Sequence, residues 1–427
     1  MLRDVPGKRV LLLQGPNGPF FQRFASELRA RGCEVTKVHF SAGDDMFYRG
    51  ADVVRFRDRL EALPDFLGAL CKERGIEVVF LFGDTKPIHR PAFELDVDVY
   101  ALEEGYLRPD YVTIEKGGVN GNSRLPKDPD FYRRAAAGLP ELPRPVSIGN
   151  TFYHHAWWAA LHAMAVTFFG WRYPHYRHHR DVNALRQAFF WVRGAVRKLA
   201  YAVRESGVLP RLAGELSGRY FLVPLQVHLD AQIKHSRYAD MRQFIEEVVA
   251  TFAAHAPADT SLVLKHHPHD RPYRDYTKLM LDLASRHGLA DRLVYVHDLH
   301  LPTLLDHTRG VVTMNSTVGT SALARGVPVK VLGQAVYDIP GLTSQRPLAD
   351  FFTAPDPVDA PLFAAFSRHL REANQINGSF YRRSPVLGPS GIDPAALAAQ
   401  ERTGALAHPP IASASQPSST PPSRYSL

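Results

Sequence analysis

The chain has 427 residues, enough for roughly two to three domains of about 150 residues, and its 45% hydrophobic and 22% charged residues are typical of globular proteins. This composition excludes wholesale disorder. The two cysteines, Cys33 and Cys71, exclude a disulfide scaffold and a cysteine-built zinc site, and they favour a reducing cytosol. A net charge of +8 favours anionic partners such as nucleotides, acidic sugars, lipid surfaces or nucleic acid.

The apolar runs of the chain are short. Val10–Leu13 is too short for a signal-peptide core and precedes no small-residue cleavage site. The longest apolar run, Ala156–Gly170, is shorter than the roughly 20 residues needed to cross a bilayer. We therefore expect a soluble protein that is able to rest on a membrane.

From Arg9 to Leu102 the sequence alternates β-rich runs with helical ones, an alternation that predicts a parallel sheet with helices on both faces. Gly32 and Gly75 are helix stops. The predicted strands are Val10–Leu13, Val35–Phe40, Val78–Phe82 and Val97–Leu102, and the predicted helices are Phe20–Arg31 and Asp58–Arg74.

The same alternation returns after Gly218. The predicted strands are Tyr220–Val223, Ser261–Leu264, Leu293–Val296, Gly310–Thr313 and Val329–Leu332, with helices at Arg237–Ala254, Tyr273–His287 and Val318–Arg325. The sequence thus predicts an α/β protein with two Rossmann-like domains, residues 1–150 and 216–390, facing a cleft. Ligands of such sheets bind beyond the carboxyl ends of the strands.

Residues 151–215 differ in composition and predict a helical, basic insertion that contains all four tryptophans. Apolar residues from Leu185 to Val203 recur every three or four positions, which predicts one helix face. Arg186, Arg193, Arg197 and Arg204 form a ridge beside it. This face either packs into the core or contacts a membrane. The Pro/Ser/Ala-rich tail, 403–427, is predicted to be disordered.

Two adjacent carboxylates, Glu103 and Glu104, follow the strand Val97–Leu102 and precede Gly105. A carboxylate at a strand end can project into a cleft and act as a general base or a covalent nucleophile. The alternative is a pair of solvated turn residues.

The run Lys265-His-His-Pro-His-Asp-Arg271 follows another strand. Pro268 fixes the turn and favours an extended conformation at His267. A histidine between Lys265 and Arg271 suits an anionic leaving group, which needs hydrogen bonds and positive charge as its bond breaks. A metal site is the rival interpretation, but no second cluster has a matching ligand spacing.

Hydroxyl residues occur where a third strand, Gly310–Thr313, leads into a helix. Asn315, Ser316 and Thr317 there offer donors suited to a phosphate, or an ordinary helix N-cap. The chain contains no Walker A motif and no G-x-G-x-x-G, so ATPase and dinucleotide-binding functions are disfavoured.

The order Glu-Glu-Gly, His-Pro, Ser-Thr resembles that of bacterial transferases that use CMP-activated acidic sugars, including sialyltransferases. More of the chain, roughly Arg9–Leu387, resembles the capsule polysaccharide biosynthesis/export family, KpsS type. The motifs that carry this resemblance are Gly15-Pro16…Phe20-Phe21, Glu103-Glu-Gly-Tyr-Leu-Arg-Pro109, Thr113-Ile-Glu115…Asn120-Gly-Asn-Ser123, Pro224-Leu-Gln226 and Gly333…Tyr337-Asp-Ile-Pro-Gly341-Leu-Thr.

The resemblance implies a GT-B-like, retaining β-Kdo transferase that moves Kdo from CMP-Kdo to a (lyso)phosphatidylglycerol acceptor and so starts a capsule linker. Residues 1–150 would bind the acceptor and 216–390 the CMP-sugar. No cofactor or metal is expected. The implied location is the cytoplasmic face of the inner membrane, and the implied partners are a KpsC-type extending transferase and the capsule export complex, without nucleic acid. KpsC-type relatives carry the catalytic set twice, and this chain carries it once.

The site residues expected on this basis fall into four groups. Glu104 is the expected nucleophile, oriented or tuned by Glu103, and His267 assists the leaving group. The expected donor-binding residues are Lys265, Pro268, Arg271, Asn315, Ser316 and Thr317. The expected acceptor or sugar-carboxylate residues are Gly15, Asn17, Arg108, Glu115 and Asn120. The expected membrane contacts are Arg186, Arg193 and Arg197.

Three other functions remain open at this point. The first is a non-catalytic export or scaffold subunit that binds the lipid-linked polysaccharide. The second is a metal-dependent phosphohydrolase built on His267, His269 and Asp270. The third is nucleic-acid binding through the basic segment, which ranks last because the basic residues lie beside apolar helix faces.

Overall fold

The computed structural model describes residues 5–139, 145–177 and 183–382. The predicted disordered tail at 403–427 and the last part of the predicted C-terminal domain, 383–390, lie outside the described residues. The strands are β1 (Arg9–Leu12), β2 (Glu34–His39), β3 (Val53–Arg55), β4 (Val78–Phe82), β5 (Asp98–Glu104), β6 (Tyr111–Lys116), β7 (Tyr220–Pro224), β8 (Ser261–Lys265), β9 (Leu293–Val296), β10 (Gly310–Thr313), β11 (Val329–Val331) and β12 (Gln375–Asn377).

Capping residues fix several helix ends. The Asp240 side chain accepts the backbone N–H of Gln243 at the start of the eighth helix, and Gly75 ends the third with a left-handed φ of 57°. The helices are α1 (Phe20–Ala30), α2 (Ala42–Phe47), α3 (Leu63–Arg74), α4 (Pro129–Ala137), α5 (Phe152–Phe169), α6 (Ala184–Arg204), α7 (Val208–Ala213), α8 (Met241–His255), α9 (Thr277–His287), α10 (Leu301–His307), α11 (Val318–Leu323), α12 (Leu348–Thr353) and α13 (Ala360–Ala373).

The first sheet has seven strands in the order β12-β6-β5-β4-β1-β2-β3. Its β1–β5 part is parallel, as predicted, whereas β6 runs antiparallel to β5 and β12 antiparallel to β6. The strand β12 comes from the region assigned by sequence to the second domain, so the chain returns to the first domain after α13. That return corrects the predicted boundary and places residues after 374 beside the end of β5.

The second sheet has five strands in the order β11-β10-β7-β8-β9, and every pair is parallel. Their carboxyl ends therefore meet at one edge, where the loops after β7, β8 and β10 emerge. The predicted fold class, two Rossmann-like α/β halves in a GT-B-like arrangement, is confirmed.

Contacts between the two halves hold the cleft in place. Thr320 Oγ1 donates to the carbonyl of Tyr106 at 2.7 Å, and Arg133 pairs with Asp359 at 2.6 Å. One apolar core also runs from β1 and β5 of the first sheet to β10 and β11 of the second. Among the described helices, none is both long and apolar enough to cross a membrane.

Candidate functional site

The two adjacent glutamates lie at the carboxyl end of β5, where strand alternation turns their side chains to opposite faces. Glu104 Oε2 lies 2.8 Å from Arg108 Nη1. Burial and the nearby negative charge of Glu104 raise the pKa of the Tyr381 hydroxyl well above its ordinary value. Glu103 Oε1 accepts the backbone N–H of Glu104 at 3.0 Å. The two carboxylates therefore have different surroundings, and Glu104 is the one held by a cation.

Burial raises the pKa of Glu103 to about 7, and the negative charge of Glu104 acts in the same direction. The hydrogen bond from the Glu104 backbone opposes this shift without cancelling it. A carboxyl that titrates near neutrality can take up a proton and release it under physiological conditions. Glu103 therefore has the acidity that a general base needs.

Glu115 is buried beneath the site, and burial raises its pKa to about 7. Tyr106, one of its donors, also accepts the backbone N–H of Asn120 at 2.7 Å. Glu115 thus supports the Asn120 loop from inside the protein, which argues against the ligand contact predicted for it. Its donors are Tyr106 Oη, Ser123 Oγ, Arg124 N and Asn374 Nδ2.

The Asn120 loop lies against the second half of the molecule. Asn120 has a left-handed φ of 54°, which asparagine tolerates better than most residues. A Cβ on the next residue, Gly121, would lie 2.3 Å from His235 Cγ, so only glycine fits there. The loop therefore approaches the cleft closely, and a role for Asn120 in binding stays a prediction.

The loop after β8 carries His267 between buried His266 and exposed Pro268. His267 Nδ1 accepts the backbone N–H of His269 at 3.1 Å, so a neutral His267 ring carries its proton on Nε2. That N–H is the donor with which His267 can meet an anionic group.

Aromatic rings connect this loop to Glu104. The His269 ring lies 6.0 Å from that of His155 on α5, and His155 stacks on Tyr381 with 4.4 Å between ring centres. Tyr381 in turn lies near enough to Glu104 for the carboxylate charge to raise its pKa, after the larger effect of burial. Two ring contacts and this electrostatic interaction thus connect Glu104 to the loop that carries His267.

The two cations that flank His267 in the sequence are engaged by the protein itself. Lys265 is buried and donates to the His297 carbonyl at 3.1 Å, and burial lowers its pKa. Arg271 pairs with Asp298 and donates to the Gly194 carbonyl of α6 at 2.9 Å. These contacts tie both side chains to the loop and its neighbours, and the donor-phosphate role of both residues stays a prediction.

Hydrogen bonds of Asn315 and Ser316 hold the turn after β10 in place. Asn315 accepts from Gln226 Nε2 at 2.9 Å and donates to the Gln232 carbonyl at 2.8 Å, so its amide group is already engaged. Ser316 Oγ accepts the Val318 backbone N–H at 3.3 Å. Its hydroxyl proton is still available for donation. Phosphate binding by Ser316 and Thr317, both partly exposed, stays a prediction.

Gly15 and Asn17 line a polar pocket at the carboxyl end of β1, between α2 and α5. Lys37 and Asp44, 3.6 Å apart, lie in its wall, and a Cβ on Gly15 would lie 2.8 Å from the Phe21 ring. Gly15 and Asn17 thus line a cavity, and their acceptor-side role stays a prediction.

The rival interpretation, a metal site built on His267, His269 and Asp270, can be compared with the position of Asp270. Asp270 is buried and pairs with the ring of His228, not with His267 or His269. Within the residues that the structure describes, no three His, Cys, Asp or Glu side chains gather as a metal site requires.

One arginine of the predicted basic ridge on α6, Arg197, contacts the protein itself. Arg197 Nη1 donates to the Arg271 carbonyl at 2.8 Å, and its other nitrogen lies 3.7 Å from Asp275. Arg197 is thus engaged with the loop that carries His267, which argues against its predicted membrane contact. The apolar face from Leu185 to Val203 is exposed, so the core-packing alternative is wrong.

Sequence reasoning did not single out His155, His228 or Tyr381. His155 lies in an apolar helix and Tyr381 at the end of the described chain, and neither belongs to a recognisable spacing. His228 had a weak signal, since it follows the Pro224-Leu-Gln226 motif by two residues.

The sequence model of the family described as "Capsule polysaccharide biosynthesis protein" matches residues 77–381. The capsule polysaccharide export protein KpsS of Escherichia coli is 42% identical over 384 residues, covering 88% of this chain and 97% of KpsS. The capsule polysaccharide modification protein LipB of Neisseria meningitidis serogroup B is 41% identical over 384 residues, covering 88% of this chain and 92% of LipB.

Among solved structures, the chain is similar to Thermosulfurimonas dismutans KpsC, β-Kdo 2,7 transferase, with a TM-score of 0.44 and 18% identity, covering 92% of this chain and 98% of that one. The family match spans more than half of the chain, and the alignments to KpsS and LipB span almost all of those proteins. The chain therefore belongs to the capsule polysaccharide biosynthesis family.

Proposed function

We propose that this protein is a retaining β-Kdo glycosyltransferase that transfers Kdo from CMP-Kdo to a phosphatidylglycerol-type lipid and so starts the linker of a capsular polysaccharide. The observation that carries the proposal is the connection of Glu104, held by Arg108, to the His267 loop through Tyr381 and His155 in a capsule-family protein. The proposed location is the cytoplasmic face of the inner membrane, alongside a KpsC-type extending transferase and the export complex.

Retention at the anomeric carbon requires two displacements. In the first, a Glu104 oxygen bonds to the anomeric carbon while the bond from that carbon to the phosphate oxygen breaks, and CMP leaves with the electron pair. In the second, the acceptor hydroxyl attacks the same carbon and Glu104 departs as a carboxylate. Glu103, whose pKa of about 7 suits a general base, accepts the hydroxyl proton.

The charge that develops on the departing phosphate needs donors within the cleft. His267, through its Nε2–H, and the hydroxyls of Ser316 and Thr317 are the proposed donors. The proposal requires no metal, because the leaving group is already a phosphate and the nucleophile a carboxylate.

Product mass tests the proposal. The protein is mixed with CMP-Kdo and lyso-phosphatidylglycerol in EDTA, and the lipid is analysed by mass spectrometry. One added Kdo, lost in Glu104→Gln but retained in Glu77→Gln, supports the transferase; Glu77 is a surface residue near Arg9, outside the site. Loss of product in EDTA would overturn the metal-free mechanism.

The second candidate is a non-catalytic export subunit, which the name of the Escherichia coli relative, a capsule polysaccharide export protein, favours. It predicts tight binding of the lipid with no product at any donor concentration. The same mass measurement, combined with a lipid-binding assay, separates the two functions.

A further inference from the structure

The outer face of α6 consists of large apolar side chains that contact no core. Monomeric soluble proteins rarely expose a contiguous apolar surface, and one of this kind marks an interaction site. Six residues along the whole helix are 61–80% exposed: Leu185, Phe189, Val192, Val196, Leu199 and Val203.

Aromatic residues of α5 and the turn after it extend this surface. Trp157 is 59% exposed, Phe168 67% and Trp171 77%. The two helices are joined where α5 ends, because Thr167 Oγ1 accepts the backbone N–H of Ala184 at 2.9 Å. We call the exposed apolar residues of α5, the turn and α6 the apolar platform.

The opposite face of α6 is fixed to the body of the protein, so the helix cannot turn its apolar side inward. Arg197 donates to the carbonyls of Arg271 and Arg274. The Tyr201 ring stacks on His297 with 3.5 Å between ring centres. Gly194 lies so close to Pro272 that a Cβ would be 2.9 Å from its ring. The platform is therefore a rigid feature, attached to the loop that carries His267.

The positive charge beside the platform indicates the kind of partner that it binds. Neither α5 nor α6 contains an Asp or Glu, whereas α6 carries Arg186, Arg193, Arg197, Lys198 and Arg204. Helical spacing places Arg186, Arg193 and Arg204 along one flank of the apolar stripe. A second copy of this chain would bring basic flank against basic flank with no acidic residue to pair. An anionic lipid surface offers both the apolar and the negatively charged component.

We infer that the apolar platform binds the surface of an anionic lipid bilayer, with α6 lying in the interface plane and its apolar side chains inserted between the headgroups. Neither helix is long and apolar enough to cross the membrane. The inference goes beyond the proposed function, since the binding needs neither a sugar donor nor catalysis. It places the His267 loop close to the surface from which a lipid acceptor would come.

Tryptophan fluorescence tests the inference on the unaltered protein, because all four tryptophans lie in residues 151–215 and Trp157 and Trp171 are in the platform. Mixed phosphatidylcholine–phosphatidylglycerol vesicles should shift the emission to the blue, and brominated acyl chains should quench it. Emission unchanged by these vesicles would overturn the inference.

Vesicle flotation then maps the surface. The variant Phe189→Ser/Val196→Ser/Leu199→Ser should float at least about tenfold less than the wild type, since each change removes a side chain inserted in the interface. Leu281→Ser, which alters a 68% exposed leucine on α9, is the matched control and should float normally. Arg193→Glu/Arg204→Glu should reduce flotation most at low salt.

Circular dichroism and thermal melting confirm that each variant folds. Undiminished flotation of the triple variant would contradict the inference, as would a dimer, seen by light scattering without vesicles, that the triple variant disrupts. None of these measurements uses CMP-Kdo, so the inference and the proposed transferase activity can fail independently.

Discussion

Arg108 Nη1 lies 2.8 Å from Glu104 Oε2, at the end of β5, where the chain turns back into β6 of the same sheet. Both side chains are about one-third exposed, so the pair contributes little to stability. Its consequence is geometric: the guanidinium holds one carboxylate oxygen of the proposed nucleophile. Catalysis, more than folding, should therefore depend on Arg108.

We predict that Arg108→Ala lowers kcat of the transferase about 10²-fold with little change in melting temperature, since it removes a group that orients the nucleophile. Arg108→Lys should recover part of this loss. Steady-state kinetics with CMP-Kdo, alongside thermal melting, check the prediction. A variant that loses stability and activity together would show that the pair is structural.

The pKa of Glu103 predicts a pH-dependent stability. Its folded pKa of about 7 lies above the ordinary value of 4.5, so between these values the folded state binds more protons than the unfolded one. The contribution of Glu103 to the free energy of unfolding is fully present below about pH 4.5 and is lost as the pH rises through 7. Glu103→Gln should raise the free energy of unfolding by up to about 3 kcal/mol at pH 8 and leave it unchanged near pH 4.

Urea denaturation at the two pH values measures this difference. Glu77→Gln, at a surface carboxylate 3.9 Å from Arg9, is the control and should show no such gain. If Glu103→Gln is equally stabilised at both pH values, Glu103 does not titrate as described.

We predict that His267→Ala lowers kcat about 10²- to 10³-fold and changes KM for CMP-Kdo much less, because the phosphate charge that it meets develops in the transition state. His287→Ala, at the end of α9, is the control with the same side-chain loss. An increase in KM alone would make His267 a ground-state binding residue.

Arg271 should behave as a structural residue. Its guanidinium ties the His267 loop to α6 and to Asp298, so Arg271→Ala should cost about 1–3 kcal/mol of unfolding free energy and increase amide exchange in α6. Hydrogen exchange with mass spectrometry checks this. Unchanged exchange and a large rise in KM for CMP-Kdo would restore the donor-binding role predicted from the sequence.

Local patterns in the sequence predict most of the strands and helices, because burial on both faces gives parallel strands continuous apolar runs. They do not predict β12, whose Gln-Ile-Asn has no such run and pairs with Thr113 from Gln375, far away in the chain. For the same reason they miss Tyr381 beside Glu104. Pairing over long separations leaves no local signal.

The sequence also does not predict which partners a charged residue has, or whether the apolar face of a helix is buried. Lys265 and Arg271 are cations beside His267 in the chain, but their partners, His297 and Asp298, come from the loop directly after the neighbouring strand β9. The periodicity of α6 is the same whether its apolar face packs against the core or remains exposed. Only the fold distinguishes these cases.

Intact-protein mass spectrometry after incubation with CMP-Kdo, without acceptor, tests the central claim that Glu104 is the nucleophile. The account predicts a mass increase of one Kdo residue that maps to the peptide containing Glu104 and that is absent in Glu104→Ala. Glu103→Gln should still form the adduct, because Glu103 acts only in the second displacement. A wild-type product with inverted anomeric configuration would contradict the account.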